Sequence, residues 1–286
     1  MKLPWRTGLL CLLVGLPAFC GPDAIDRAFQ RLYNFDFAGA HRILDEYQGA
    51  NSSDPLAYGV RASTYLFQEL YRLGILESEF FADYKRLTEK RNLKADPVIR
   101  QKLFKAMGEG RRLAQARLAA KADDDDALFT MCIVSGVLTD YTSFVEDKHL
   151  SSLSNAKEAQ RWALALLKSD PTFYDAYLTT GISEYLVGSL PFFVRWFVRF
   201  DQVEGSKEQA VHNLELVASK GRYVGPFARI LLAIIHLREK RPEVSHRILV
   251  ELAREYPENP LIRREMEKIA TMLPAIRPQP ADGMGR

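Results

Sequence analysis

A helix-ending pattern with a fixed inner spacing occurs twice in this chain. Each copy has a small residue, an apolar residue four positions later, another three positions after that, and a proline five positions further on. The two copies are Ala159, Ala163, Leu166 and Pro171, and Ser245, Leu249, Leu252 and Pro257. The first three positions share one helix face, and proline cannot donate to the helical hydrogen-bond ladder. The pattern therefore predicts repeated helices that pack at close range and then stop.

Apolar residues elsewhere recur at three-and-four spacing, which is the helical period, and no segment alternates as a strand would. Pairs such as Asp54-Pro55, Asp96-Pro97 and Asn259-Pro260 predict helix starts, because each places a capping side chain before a proline in the first turn. The predicted first helices of successive pairs begin at Asp23, Pro55, Ala127, Pro171, Tyr223 and Pro260. The intervals between these starts are 32, 72, 44, 52 and 37 residues.

The outer intervals are close to the roughly 34 residues of a helical hairpin repeat, whereas the inner ones are longer. We therefore predict an all-α fold, an α-solenoid of about five hairpins with a terminal capping helix, over residues 21–274. Inserted segments are expected at 74–95 and 189–205. The last residues, 275–286, combine proline, glycine and polar residues, so a disordered tail is expected there.

The amino terminus has the layout of a secretory signal peptide. Lys2 and Arg6 precede an apolar run over 8–16, which is too short to span a bilayer, and small residues follow it. We predict a signal peptide at residues 1–20 and export to the periplasm or beyond the cell. Two alternatives stay open, a lipid anchor on Cys20 and an uncleaved membrane anchor. Phe19 departs from the lipoprotein pattern, which has a small residue before the cysteine.

Charge and motifs argue against several function classes. The chain has 39 basic and 36 acidic residues, and loss of Lys2 and Arg6 would lower its formal charge from +3 to about +1. A near-neutral domain has no overall electrostatic attraction for nucleic acid, so none is expected as a partner. Cys132 would then be the one cysteine left besides Cys20, and it lies in an apolar run, which is typical of a buried thiol.

No residue pattern predicts catalysis. No two of the five histidines are four apart, as a helical zinc pair would be; they are His41, His149, His212, His236 and His246. A nucleophile elbow, a phosphate loop and a dinucleotide fingerprint are all missing. The acidic run 123–126 lacks the glycine and glutamate of an EF-hand and is typical of a helix start. We predict a non-enzymatic protein with no cofactor and no metal site.

Two short runs resemble the first helix of a tetratricopeptide repeat (TPR), in which a large, a small and an aromatic residue follow at four and three. They are Tyr58, Ala62 and Tyr65, and Tyr177, Gly181 and Glu184. The two helix-ending patterns are similar to the second half of the same motif. The region 169–265 also weakly resembles a eukaryotic TPR family linked to the mitochondrial outer membrane and inclusion-body clearance. The short segments that carry this resemblance are Ser169-Asp170-Pro171, Gly205-Ser206-Lys207, Lys220-Gly221-Arg222 and Tyr256-Pro257-Glu258-Asn259-Pro260.

A stack of helical hairpins leaves a concave surface, lined by the first helix of each pair, which suits a peptide or protein partner. Tyrosine offers apolar area with a polar tip, which favours tyrosines as contacts on such a surface. The candidate partner-binding residues are Tyr58, Arg61, Tyr65, Tyr177 and Tyr185. The leading interpretation is thus an exported scaffold of the bacterial cell envelope that binds a peptide or protein. Burial of any of these side chains between helices is the alternative.

The segment 190–200 is unusually aromatic and carries two arginines four apart. The residues of interest are Phe192, Phe193, Arg195, Trp196, Phe197, Arg199 and Phe200. Aromatic residues suit a membrane boundary and arginines favour anionic headgroups, so this segment predicts contact with a membrane surface, a lipid or another ligand. The alternative is an inserted helix that packs on its neighbour. An enclosed apolar cavity would favour a lipid or small-molecule binder over a peptide scaffold.

Overall fold

The computed structural model describes residues 23–77, 93–190 and 202–273, and this part of the chain is all-helical. Across these ranges there are eleven α-helices and no strand, which confirms the prediction of an all-α fold. The helices are α1 (Ala24–Tyr33), α2 (Phe37–Ala50), α3 (Pro55–Arg72), α4 (Pro97–Ala120), α5 (Asp125–Asp140), α6 (His149–Ser169), α7 (Tyr177–Ser189), α8 (Lys207–Lys220), α9 (Gly225–Arg238), α10 (Pro242–Glu255) and α11 (Pro260–Ala270). The predicted signal peptide, the tail and most of the aromatic segment lie outside the described residues.

Side-chain caps explain most helix starts. Asp54, Asp96 and Asn259 each accept hydrogen bonds from backbone N–H groups of the first turn, and a proline follows each of them. These three predicted boundaries are confirmed. The predicted start at Pro171 is wrong, because Asp170 holds Thr172 in a turn and the α-helix begins only at Tyr177.

Each helix packs against the next along the chain. The helices of the pairs α1–α2, α3–α4, α5–α6, α7–α8 and α9–α10 pack on each other, and the second helix of each pair also packs on the following helix. The small and apolar positions of the two helix-ending patterns are all buried: Ala159, Ala163, Leu166, Ser245, Leu249 and Leu252. The close packing predicted from those patterns is therefore confirmed.

One predicted insertion follows α3 and the other follows α7. In each case a buried glutamate of that helix binds the backbone at the end of the insertion. Glu184 of α7 accepts hydrogen bonds from the backbone N–H groups of Glu204 (3.1 Å), Gly205 (2.7 Å) and Ser206 (2.8 Å). Gly205 has φ +77°, and its carbonyl oxygen lies 2.6 Å from the position that a Cβ on Gly188 would take. The backbone there approaches α7 too closely for any side chain, which explains both glycines.

Glu69 of α3 does the same for the first insertion. One carboxylate oxygen accepts the N–H of Asp96 at 2.7 Å, and both oxygens accept from Arg72. The Glu69 side chain is fully buried, so its charge is offset by these bonds. In both places a buried carboxylate therefore accepts backbone N–H groups at the end of the insertion.

The first helix contacts loops far along the chain. The hydroxyl of Tyr33 donates to the carbonyl oxygen of Tyr223 (3.0 Å), and the side-chain amide of Asn259 donates to the carbonyl oxygen of Tyr33 (2.7 Å). Arg222 pairs with both Asp23 and Asp26. An open stack would bring together only sequence neighbours. Here α1 instead joins the amino-terminal pair to the carboxy-terminal hairpins.

Helix α5 continues into a π-helical turn at Tyr141–Val145. The stretch Asp125–Val145 is the one helix among the described residues that is long and apolar enough to cross a membrane, and most of it is buried by neighbouring helices. A central core helix has the same composition. Its apolar character is thus accounted for by packing.

Candidate ligand-binding chamber

Helices α3, α5, α7 and α9 surround a common interior. The rings of Phe67 on α3 and Phe227 on α9 meet edge to face with centroids 5.5 Å apart. Helix α3 also packs along α5, and the Cys132 sulfur of α5 lies 3.1 Å from the Thr179 hydroxyl of α7. Contacts therefore run from α9 through α3 and α5 to α7.

Aromatic side chains fill one end of this interior. The Tyr223 ring stacks on Phe29 of α1, with centroids 5.4 Å apart, and on Phe129 of α5, at 5.8 Å. Phe129 also meets Phe173 at 4.9 Å. Helix α1 thereby occupies the part of the interior next to the amino-terminal end of α5.

Further along α5 the interior is less filled. At about 100° per residue, Phe129, Ile133, Gly136 and Asp140 lie on one face of the helix. Phe129 is buried, whereas Ile133, Gly136 and Asp140 are partly exposed. Among the described residues, no heavy atom lies within 4 Å of the position that a Cβ on Gly136 would take. The described residues therefore leave space beside α5 at Gly136, beyond the aromatic cluster.

Partly or largely exposed apolar side chains also occur on the other three helices, at spacings of three or four positions where a helix has several. They are Phe67 on α3, Leu178, Ile182 and Leu186 on α7, and Phe227, Ile230, Leu231 and Ile234 on α9. Leu186 is 53% exposed. We propose that these residues, together with Ile133 and Gly136, line one space, which we call the inner chamber. A space lined by apolar side chains is typical of a ligand site.

Asp140 is the acidic residue on the chamber face of α5. Its side chain is partly buried, and among the described residues it makes no hydrogen bond or ion pair. Burial raises the pKa of the Asp140 carboxyl to about 7. The sequence carried one signal of this group: an acid within an otherwise apolar helical stretch, Ala127 to Val145.

Three of the predicted partner-binding residues lie on the other side of α3. Tyr58, Arg61 and Tyr65 are about 120° to 180° around the helix from Phe67. The Arg61 guanidinium pairs with Asp45 of α2 at 2.7 Å. These three residues therefore face α2 and α4, and the chamber side of α3 carries Phe67 instead.

Contacts to α2 and α4 account for the positions of Tyr58 and Tyr65. The Tyr65 ring lies on the ring of His41, with centroids 4.1 Å apart. Burial lowers the pKa of His41 to about 4, with the Arg61 charge as the second cause. The Tyr58 side chain lies 3.2 Å from the Cβ position of Gly110 on α4, where a larger residue would crowd it.

The two predicted residues on α7 occupy different environments. The Tyr177 hydroxyl donates to the carbonyl oxygen of Pro171 at 3.4 Å. Tyr185 is buried, and its ring lies beneath the cations of Lys207 (5.9 Å) and Arg238 (5.4 Å). The five candidate residues thus do not form one continuous surface.

All seven residues of the second candidate set fall within 191–201 and lie outside the described residues. They are Phe192, Phe193, Arg195, Trp196, Phe197, Arg199 and Phe200. Of the bordering residues, Leu190 is the C-cap of α7. Nothing further follows from the structure about these seven residues.

No group of His, Cys, Asp or Glu side chains suited to a metal ion occurs in the described ranges. Within the acidic run 123–126, Asp124 caps α5 through the N–H of Ala127 and pairs with Arg117 at 2.8 Å. Neither a protein-family model nor a curated protein sequence matches this chain.

Proposed function

We propose that this protein is a TPR-like helical array that binds an apolar ligand, such as a lipid chain or a small hydrophobic molecule, in the inner chamber. The observation that carries the proposal is the space that the described residues leave beside Gly136, on the face of α5 that also carries Phe129 and Ile133. Burial of each ligand methylene there would contribute about 0.8 kcal/mol.

The proposal builds on the lipid-binding alternative derived from the sequence. A peptide-binding scaffold has less support, because α1 already occupies part of the interior and because Tyr58, Arg61 and Tyr65 face α2 and α4. Export remains a prediction from residues 1–20. In an exported protein, the chamber would hold an apolar molecule within the cell envelope, with no catalysis required.

A neutral fluorescent probe tests the proposal directly. N-phenyl-1-naphthylamine, which becomes bright in apolar surroundings, should bind the full protein, purified as the cell processes it, with micromolar affinity. Gly136→Leu should weaken that binding at least tenfold, because the new side chain would project into the open space.

Gly108→Leu is the matched control. Gly108 is also a helical glycine with no heavy atom of the described residues within 4 Å of its Cβ position, but it is exposed on α4. Its leucine variant should bind the probe like the wild type. Equal binding by the Gly136 and Gly108 variants would refute the chamber as the binding site.

A further inference from the structure

Asp140 lies where the chamber face of α5 reaches its carboxy-terminal end. It is one turn beyond Gly136, at the last residue of α5 before the π-helical turn Tyr141–Val145. Among the described residues, no ion pair offsets the carboxylate.

A partly buried carboxyl with no partner differs from the other buried acids of this protein. Glu184 accepts three backbone N–H groups, and Glu69 accepts an N–H group and a guanidinium. Both carboxylates are thereby compensated by the fold itself. Of these three acids, Asp140 alone has no partner among the described residues, and it lies one turn from Gly136 on the same face of α5. Its compensation would come from whatever enters the chamber.

We propose that the chamber takes a long-chain primary amine, whose ammonium group pairs with Asp140 while its alkyl chain lies along Gly136 and Ile133. This inference rests on the proposed function and specifies the ligand's polar end. The face of α5 from Ile133 to Asp140, beyond the aromatic cluster, is about 10 Å long at 1.5 Å per residue, roughly the length of an extended eight-carbon chain.

Other amphiphiles fit this arrangement less well. A fatty carboxylate would place a second negative charge beside Asp140, which is repulsive. A fatty alcohol would make a hydrogen bond with one charged partner, whereas an ammonium group adds the attraction of opposite charges in surroundings of low dielectric constant. The alkyl chains of the amine, the alcohol and the carboxylate bury nearly equal apolar area. The polar group therefore decides which of them binds most tightly.

Competition at pH 8 tests this inference, with N-phenyl-1-naphthylamine as the bound probe and dodecylamine, dodecanol and dodecanoate as competitors below their aggregation concentrations. Dodecylamine should displace the probe from the wild-type protein at a concentration at least tenfold lower than dodecanol does. Dodecanoate should be the weakest of the three. Calorimetric titration with dodecylamine checks the affinity without the probe.

Variants at Asp140 assign the effect to its charge. Asp140→Asn should bring dodecylamine within about threefold of dodecanol while leaving the affinity for the neutral probe unchanged, and Asp140→Glu should keep the preference. Asp123→Asn, at an exposed acid outside the chamber, is the control. Circular dichroism melting of each variant confirms that it is folded.

The outcomes separate this inference from the proposed function. Probe binding that Gly136→Leu blocks, without any preference for the amine, would leave the chamber in place and overturn the role of Asp140. A preference that survives in Asp140→Asn would overturn it as well. Absence of binding by both the probe and dodecylamine would overturn the chamber and the amine site together.

Discussion

The hydroxyl of Tyr33 donates a hydrogen bond to the backbone carbonyl oxygen of Tyr223, 190 residues further along the chain, at 3.0 Å. Both tyrosines are buried, and burial raises the pKa of Tyr33 well above its ordinary value. The bond joins the end of α1 to the loop before α9. It helps to hold α1 against the aromatic cluster that closes one end of the chamber.

Tyr33→Phe removes this hydroxyl alone. We expect a loss of about 1 to 2 kcal/mol in the free energy of unfolding, since the carbonyl group of Tyr223 would be left buried without its donor. Tyr58→Phe is the control, because its hydroxyl makes a 3.4 Å contact at an exposed site, and it should cost under about 0.5 kcal/mol. Urea unfolding measures both, and equal losses would mean that the long-range bond contributes nothing of its own.

Glu184→Gln tests the carboxylate that closes the second insertion. The neutral amide keeps one acceptor oxygen for three backbone N–H groups, so we expect a loss of about 2 kcal/mol in the free energy of unfolding. Hydrogen exchange at Gly205 and Ser206 should accelerate. Glu215→Gln, at an exposed position on α8, should change neither quantity. Unaltered exchange at Gly205 in the Glu184 variant would rule out the proposed closure.

The raised pKa of Asp140 predicts a pH dependence of stability. Between its ordinary value of 3.8 and about 7, the unfolded chain is ionised while the folded protein keeps the proton. The folded state then binds more protons, so this residue's contribution to stability falls as the pH rises and levels off above pH 7. The full difference corresponds to at most about 4 kcal/mol, because the partly exposed side chain retains some solvent screening.

Asp140→Asn cannot ionise and should lack this dependence. Its stability relative to the wild type should increase by about 2 to 3 kcal/mol from pH 5 to pH 8. Urea unfolding of both proteins at the two pH values isolates the contribution of Asp140 to the free energy of unfolding, because the two proteins share all other titrating groups. A stability difference that stays constant from pH 5 to pH 8 would contradict the raised pKa.

Cys132 should be unreactive while the protein is folded. Its thiol is 4% exposed, and burial raises its pKa to about 11, so very little thiolate forms at neutral pH. We expect iodoacetamide to modify Cys132 at least 100-fold more slowly in the folded protein than in urea, as measured by peptide mass spectrometry. A cysteine introduced at the exposed position Ser219 should react readily in both states. Comparable folded-state rates at the two sites would show that α5 opens frequently.

Much of the local architecture was predictable from short stretches of sequence. Asp54-Pro55 and Asn259-Pro260 mark helix starts because capping and proline effects act within one turn. Pro171 was misleading, because a proline fits a turn as well as a helix start, and Asp175 nearby is used elsewhere. Its carboxylate accepts the N–H groups of Tyr223 and Val224, almost 50 residues away.

The orientation of the candidate partner-binding residues could not be predicted from local sequence patterns. Tyr58, Arg61 and Tyr65 share a helix face, as their spacing predicts, but spacing does not say whether that face turns toward the interior. Its orientation depends on the rotation accumulated between successive hairpins. Asp140 was overlooked for the same reason, since nothing within one turn of it reveals that its face borders open space.

The sequence by itself determined the helices, their caps and the close packing of neighbours, because those properties depend on residues within a few positions of one another. Only the tertiary structure decided that α1 meets the loops before α9 and α11, which faces of α3 and α5 turn inward, and that Asp140 is left without a partner among the described residues. These features depend on contacts between segments up to 226 residues apart. Such contacts are set by the summed geometry of many hairpins, so no single stretch of sequence specifies them.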